Sequence, residues 1–395
     1  MKAALLVKQG EYKDKMKQYI LSPYVIPHSF EEAKVKLYND YNKRFFLISK
    51  DEMKMLLDCR LPISYLELCE KYTKSRVEKF IRWFLLLESD NVWNYHRFQH
   101  IEIETSTVCN WKCEYCPNSI HQRLPRYMDF SLFQIIMQRA KEYKYIKYVT
   151  LHAYNEPTLD PRFFELVNEV QKQGFRLVLY TNGSYLDEAK IKHLIQLGNL
   201  KEIIFNIPSF DKKIMQNMTG STDYDNVMNA IDLSIKNNIA VTFSIQGRDK
   251  QREKASIEIS KKYPQCKIVS HDSFDRAGSL TNKYFQNYAI NETFLAGCVT
   301  MNEAVNVTVD GDITLCCNDY YRKNLFGNLR NNSLSSLLTS NLYTKYKRII
   351  WGGEKAPTDF ICRNCIMMEM AFERNRRIEE VKKIIYESHA SNETD

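Results

Sequence analysis

Residues 104–119 read ETSTVCNWKCEYCPNS, and the spacing inside that stretch decides how the rest of the chain is read. Three residues separate Cys109 from Cys113, two separate Cys113 from Cys116, and Pro117 closes the run. An apolar, strand-like segment at 101–104 precedes it. Thiolates on one short loop can wrap one face of an iron–sulfur cube, and a cube needs four ligands. Three protein ligands leave one iron open, where a cofactor can chelate. Zinc is the first alternative, although structural zinc sites ordinarily draw four ligands from paired short motifs. Chance clustering of buried thiols is the plain one.

Outward from this loop, strand-like runs alternate with amphipathic helical stretches. Strands are expected at 101–104, 148–152, 176–180, 202–206, 240–246 and 267–271, and helices near 130–142, 161–173, 186–196, 223–237 and 251–262. Six β-α steps in a row imply a parallel sheet with helices outside, joined by right-handed crossovers. Six is fewer than the eight of a closed barrel, so an α/β fold built on a partial, open (β/α)6 barrel is expected over residues 96–275. Ligands in such sheets sit at the carboxyl ends of the strands.

Two further regions flank this core. In residues 1–95, Phe45-Phe46-Leu47-Ile48 reads as a strand. Leu56-Leu57, the segment 63–68 and a stretch from 75 to 87 read as helices, and Asn91-Val92-Trp93 as a closing strand. Val77, Phe80, Ile81, Phe84 and Leu85 fall at helical spacing. The pattern suggests a small winged-helix-like module; the plain alternative is an N-terminal cap on the core. Residues 276–395 are rich in cysteine and loops and end in a charged helix expected over 369–388, with a frayed tail.

Composition narrows the setting. The chain has 395 residues, 44% hydrophobic and 26% charged, as in ordinary globular chains of two or three domains. A net charge of +8 spread over this length reads as a solvated basic surface or a mild preference for an acidic partner, and nucleic acid is not expected. No secretory signal opens the chain, and no apolar run approaches the roughly 18 residues a membrane span needs. A cytoplasmic location without membrane contact is therefore expected. There, eleven cysteines point to metal or catalysis rather than disulfides.

The 104–119 stretch, with an aromatic residue (Tyr115) directly before the third cysteine, resembles the radical S-adenosylmethionine (SAM) superfamily signature. The resemblance implies that Cys109, Cys113 and Cys116 hold a four-iron four-sulfur cluster and that its open iron binds the amino and carboxylate groups of SAM. It further implies that an electron from the cluster cleaves SAM to methionine and a 5′-deoxyadenosyl radical, which abstracts a substrate hydrogen. Tyr115 is then expected near the adenine. His152-Ala153-Tyr154-Asn155-Glu156-Pro157 stands where the family usually has Gly-Gly-Glu-Pro, whose backbone holds the SAM amino group. Tyr154 and Asn155 replace glycines, while Glu156 and Pro157 remain. Thr181-Asn182-Gly183 closes the third strand, as the family often reads. Asn206 and Ser209 follow the fourth strand, where the family contacts ribose or carboxylate, and Gln246 ends the fifth.

Cys298, Gly311, Cys316 and the Cys362/Cys365 pair, with Phe326-Gly327-Asn328-Leu329 read as a tight turn beside short strands at 306–309 and 312–315, resemble the SPASM or twitch extension of many radical SAM enzymes. That resemblance implies one auxiliary four-iron four-sulfur cluster on Cys298, Cys362, Cys365 and one of Cys316 and Cys317, the four-residue spacing from Gly311 favouring Cys316. A zinc ribbon would use similar pairs. No cysteine follows Cys365, which departs from the two-cluster version. Cys317 is then a spare thiol that could donate a hydrogen atom to a substrate radical or simply be buried. Cys59, Cys69 and Cys266 sit in apolar stretches and read as core.

Enzymes with this extension act on ribosomally made peptides, protein side chains, or sugars and aminocyclitols. The N-terminal segment resembles the leader-binding recognition element of peptide-maturing radical SAM enzymes, which adds a leader peptide as a strand to a sheet edge. Modification of a precursor peptide (epimerisation, crosslinking or oxidation) is therefore expected, with a flavodoxin- or ferredoxin-type electron donor. Dehydrogenation of a sugar or aminocyclitol is the second reading, and a non-enzymatic metal-binding protein the third.

Overall fold

The computed structural model describes residues 17–30, 34–280 and 288–373. The first part of the chain gives β1 (Gln18–Leu21), β2 (Val25–Phe30), β3 (Lys34–Asn39) and β4 (Arg44–Ser49). Helices Lys50–Asp58, Tyr65–Lys71 and Lys74–Arg82 follow, with β5 (Ile63–Ser64) and β6 (Leu86–Glu88) around them. β2, β3 and β4 form an antiparallel meander, and β1 pairs with both β5 and β6. The Ser49 side chain accepts from Glu52 N while Glu52 bonds back to Ser49 N, a capping box that starts the first helix. Val35, Leu37, Ile48, Met55, Leu56, Leu68, Val77 and Phe80 close a core of their own beneath this unit.

Four expectations here are corrected. The strand expected at 91–93 is a 3-10 helix, Ser89–Asn94, and β6 takes the closing role. The segment 63–68 begins as β5 before turning helical at Tyr65. The helix expected from 75 to 87 stops at Arg82, because Phe84 adopts a left-handed φ of 57°. β1, β2 and β3 were not anticipated. β1 is only four residues long and β2 carries Pro27, whereas the alternation of β3, with Val35 and Leu37 buried, was a signal left unread.

The centre matches its expected pattern closely. β7 (His100–Ile103), β8 (Tyr148–Thr150), β9 (Arg176–Thr181), β10 (Leu200–Asn206), β11 (Val241–Gly247) and β12 (Lys267–Asp272) are all parallel to their neighbours and lie in sequence order. Helices Phe130–Glu142, Phe163–Lys172, Glu188–Leu197, Tyr224–Lys236 and Asp249–Lys262 join them. An extra helix, Lys212–Thr219, was not anticipated. Side chains alternate along each strand. Ile101, Ile103, Val149, Leu177, Leu179, Ile203, Phe205, Phe243 and Ile245 belong to the apolar core. Glu102, His152, Tyr180, Asn206, Ser244 and Gln246, on the other phase, face the hollow of the barrel.

The C-terminal region does not sit apart. β13 (Ala304–Val307) pairs in parallel with β7, and β14 (Asp312–Thr314) and β15 (Leu325–Asn328) continue antiparallel, making one nine-stranded sheet. Phe326-Gly327-Asn328, expected as a turn, is therefore mostly strand β15, and only Leu329 lies beyond it. Helices Leu334–Leu338 and Asn341–Ile350 pack behind. Residues 366–373 are helical, and the remainder of the expected C-terminal helix lies outside the described residues.

A buried charge cluster locks this joint. Glu104, just past β7, accepts bidentately from Arg123 (2.7 and 2.9 Å) and also from Arg322 beyond β14 (3.1 Å). Burial alone would raise the Glu104 pKa, but the hydrogen bonds and charges of the two arginines hold it below the ordinary carboxylate range. Removing one partner of such a cluster strands buried charge. Glu104→Gln should lower unfolding stability by about 3 kcal/mol in denaturant titration at neutral pH. The wild-type contribution is present above the unfolded carboxylate pKa and should fade as pH falls through the depressed folded value, so the two proteins should converge in acid.

Candidate active site

The three-cysteine loop sits at the carboxyl end of β7 and is tied down on every side. Cys116 N donates to Cys113 O (2.9 Å), and Pro117 opens a 3-10 turn, Pro117–Ser119. Lys112 N and Glu114 N donate to Thr219 O and Met218 O, both 2.9 Å, fixing the loop to the helix Lys212–Thr219. Asn110 Nδ2 donates to Ser184 Oγ (2.9 Å) and Asp223 Oδ2 (3.0 Å), and its Oδ1 accepts from Asn182 (2.9 Å). Burial pushes the Cys109 thiol up to about 12, and pushes Cys113 and Cys116 up as well, with the neighbouring thiols adding to Cys113. Thiols so desolvated stay neutral unless a metal deprotonates them.

Beside the loop lies a cavity of about 320 Å³. It brings together most of the residues that the sequence singled out: Cys109, Cys113, Cys116, Tyr115, Tyr154, Asn155, Glu156, Asn206, Gln246 and Cys317. Three buried polar atoms on its wall have no hydrogen-bond partner: Trp111 Nε1, His152 Nδ1 and Asn206 Oδ1. The Tyr115 hydroxyl lies beside the Cys113 thiol without a well-formed bond. Buried polar atoms of native proteins are ordinarily satisfied. Unmet donors and acceptors beside three grouped thiols therefore fit a polar ligand such as SAM at an open iron.

The polar side chains of residues 154–156 are bonded within the protein. The Glu156 carboxylate is saturated by its own neighbours. It accepts from Thr158 N (3.0 Å), Thr158 Oγ1 (2.6 Å), Thr181 Oγ1 (2.7 Å) and Asn182 N (2.7 Å), and the Glu156 backbone N–H donates to Val108 O (2.9 Å). Asn155 is likewise turned inward, accepting from Ala153 N (2.9 Å) and donating to Leu151 O (3.0 Å). What these two offer the cavity is the shape of the backbone they brace. The Tyr154 hydroxyl donates to Cys317 O, and its ring meets Tyr320 edge-on at 4.8 Å, so it ties the loop after β8 to the C-terminal region. Ser209 is buried outside the cavity, and its Oγ accepts from Asp211 N (3.0 Å) in the turn before the next helix.

The cysteines of the C-terminal region lie together. Burial pushes Cys316 well up, followed by the charges of Cys317, Cys365 and Cys298. Cys362 feels Cys365, Cys298 and Cys316 in the same way. Four thiols from three chain segments thus share one buried neighbourhood. Between Cys362 and Cys365, the Arg363 guanidinium bonds the carbonyls of Pro357, Ile290, Glu292 and Ala356 at 2.6–2.9 Å and pins the pair in place. Cys317 lies beside Cys316 and also lines the cavity next to the three-cysteine loop.

Sequence reasoning missed Glu102, His152, Glu303 and Arg276 as cavity residues. Burial raises Glu102 to about 7, helped by the charge of Glu303, and lowers His152 to about 4, which keeps that imidazole neutral. Alternation along β7 and β8 was the signal that could have found the first two.

A family model described as the radical SAM superfamily matches residues 103–252, and one described as an iron–sulfur cluster-binding domain, SPASM, matches residues 298–366. The chain is 24% identical over 272 residues to an S-adenosyl-L-methionine-dependent 2-deoxy-scyllo-inosamine dehydrogenase from Niallia circulans, covering 68% of this chain and 92% of that protein. Among solved structures, Streptococcus suis SuiB bound to its precursor peptide SuiA superposes with a TM-score of 0.55 at 12% identity, over 83% of this chain and 90% of that one. The enzyme anSMEcpe with bound AdoMet and the Cp18Cys peptide gives 0.51 at 16% identity, over 68% and 87%. These two likenesses are of fold.

The positions of two adjacent cysteines yield a test. After anaerobic reconstitution, Cys316→Ala should fall from about eight to about four irons per chain, while Cys317→Ala should keep about eight. Equal loss in both variants would contradict the division.

Proposed function

Because the chain is a radical SAM protein carrying a SPASM iron–sulfur extension, we propose that it modifies a ribosomally synthesised peptide held by its N-terminal module. SAM and four-iron four-sulfur clusters are its cofactors. Bound at the open iron, SAM supplies a 5′-deoxyadenosyl radical that abstracts hydrogen. The protein's part is placement. In this reading Cys109, Cys113 and Cys116 hold the SAM-binding cluster, and Cys298, Cys316, Cys362 and Cys365 hold one auxiliary cluster. Tyr115 and Asn206 contact SAM, and the backbone that Glu156 and Asn155 brace shapes its seat.

Cys317 presents its thiol to the same cavity. It would return a hydrogen atom to a substrate carbon radical, leaving a thiyl that one proton and one electron from a flavodoxin- or ferredoxin-type donor restore. Turnover in deuterated water would then leave deuterium on the modified carbon, and Cys317→Ala would abolish that label.

The observation that carries the peptide reading is the free face of β4. β4 is an edge of its sheet among the described residues, and Phe45 and Leu47 are 53% and 47% exposed on it. An edge strand with outward apolar side chains offers main-chain hydrogen bonds and side-chain contacts to an extended peptide. Holding a leader there raises the effective concentration of the linked segment at the cavity. The structural likeness to SuiB supports a fold suited to this arrangement but not its substrate.

A second reading is dehydrogenation of an aminocyclitol or sugar, favoured by the similarity to the Niallia circulans dehydrogenase along nearly its whole length. Surface substitutions separate the two better than truncation. Removing the first 95 residues would also strip Tyr24, Leu87 and Val92 from the main core. The double variant Phe45→Lys/Leu47→Glu should keep uncoupled 5′-deoxyadenosine formation and lose about tenfold or more in turnover of a leader-bearing peptide encoded beside the gene. Stimulation of deoxyadenosine formation by an aminocyclitol, with no peptide bound, would replace the first reading by the second.

A further inference from the structure

Just beyond β12 the backbone takes two consecutive left-handed residues, Arg276 at φ 51° and Ala277 at φ 53°. Neither is glycine, so the conformation costs energy and is kept only where the surroundings enforce it. Its effect is to turn the Arg276 side chain into the cavity beside the three-cysteine loop. The guanidinium rests on the Phe274 ring, 4.6 Å from its centroid. Its hydrogen bonds go to Gln246 Oε1 at 3.3 Å and Asn318 Oδ1 at 3.5 Å, both neutral and both long.

No carboxylate pairs with this cation among the described residues. Adjacent Asp275 turns back to the backbone N–H groups of Gly278 and Ala277. Asp272 pairs with Arg252 at 2.6 Å. Glu102 and Glu303 line the same cavity and make no ion pair with it. The remaining carboxylate on the cavity wall, Glu156, is saturated by Thr158, Thr181 and Asn182. A half-buried guanidinium left with two weak amide contacts has unused donors in a fork that matches a carboxylate.

We propose that Arg276, framed by Gln246 and Asn318, forms an anion seat in the cavity that takes a carboxylate of the substrate. The seat joins two parts of the molecule. Gln246 ends a barrel strand, and Asn318 follows Cys316 and Cys317 in the C-terminal region. It rests on the cavity being the SAM and substrate site, and not on the substrate being a peptide.

The test uses the full chain with both clusters loaded. Calorimetric affinities for SAM and for decarboxylated SAM are compared in wild type, Arg276→Gln, Arg276→Lys and Gln246→Glu. Succinate is then titrated as a free carboxylate probe in the presence of SAM. If the seat takes a substrate carboxylate, SAM affinities stay level and Arg276→Gln weakens succinate about tenfold. About tenfold weaker SAM binding in Arg276→Gln with succinate unaffected would mean the seat serves SAM instead and would overturn the proposal. Gln246→Glu keeps the arginine but supplies an internal carboxylate, so it should reproduce the loss, and Arg276→Lys should retain part of the binding. Unchanged affinity for both ligands in Arg276→Gln and Gln246→Glu overturns the proposal. A wild-type holoenzyme that binds no SAM instead refutes the reading of the cavity.

Discussion

One buried carboxylate organises the catalytic end of the barrel. Glu156 gathers four donors from the loop after β8 and the end of β9, and its N–H reaches the segment leading into Cys109. Three strand ends are thereby held in one geometry. The donors also explain how an acid survives there: burial raises its pKa, and the hydrogen bonds from Asn182, Thr158 and Thr181 oppose the rise. The entry to the cysteine loop at Val108 and the Thr181-Asn182-Gly183 turn are fixed by that node. Gly183 belongs to it for a steric reason, since a Cβ there would lie 2.9 Å from the Phe205 ring.

The alternation of the barrel strands gives the node something to frame. Parallel strands are ordinarily apolar on both faces because helices cover both sides. Here one phase packs on the helices, and the other carries Glu102, His152, Tyr180, Ser244 and Gln246 into an open hollow. An incomplete barrel has no inner ring of branched side chains to fill it, so the hollow can be polar, and buried polar atoms of Trp111, Tyr115, His152 and Asn206 without partners line it.

The barrel and its cysteine loop were legible because both signals are local. Apolar runs alternating with amphipathic stretches set the six strands within a few residues, and the cysteine spacing needs no tertiary context. What escaped depended on long-range pairing. β1 is short and gains its partners from residues 63–64 and 86–88, and β13 pairs with β7 across about half the chain. Glu156 was singled out through its motif, and its cavity position came with a carboxylate saturated by Thr158, Thr181 and Asn182, which a sequence does not show. Ser209 sits at a suitable place in the chain and yet serves its own turn. Arg276 carried no signal, since its entry into the cavity follows from two left-handed residues that no periodicity marks.

The parallel pairing of β13 with β7 bears on how the molecule is assembled. β7 is the first strand of an open sheet, and without a neighbour on its outer side it would present unpaired N–H and C=O groups beside the cysteine loop. β13 covers that edge, but it is synthesised about 200 residues later and must cross a long loop-closure distance to do so. Until it arrives, the nascent barrel has an adhesive margin next to three reactive thiols. Cys298 and Cys316 flank β13 on either side, so their metal site cannot be drawn together before that margin is sealed.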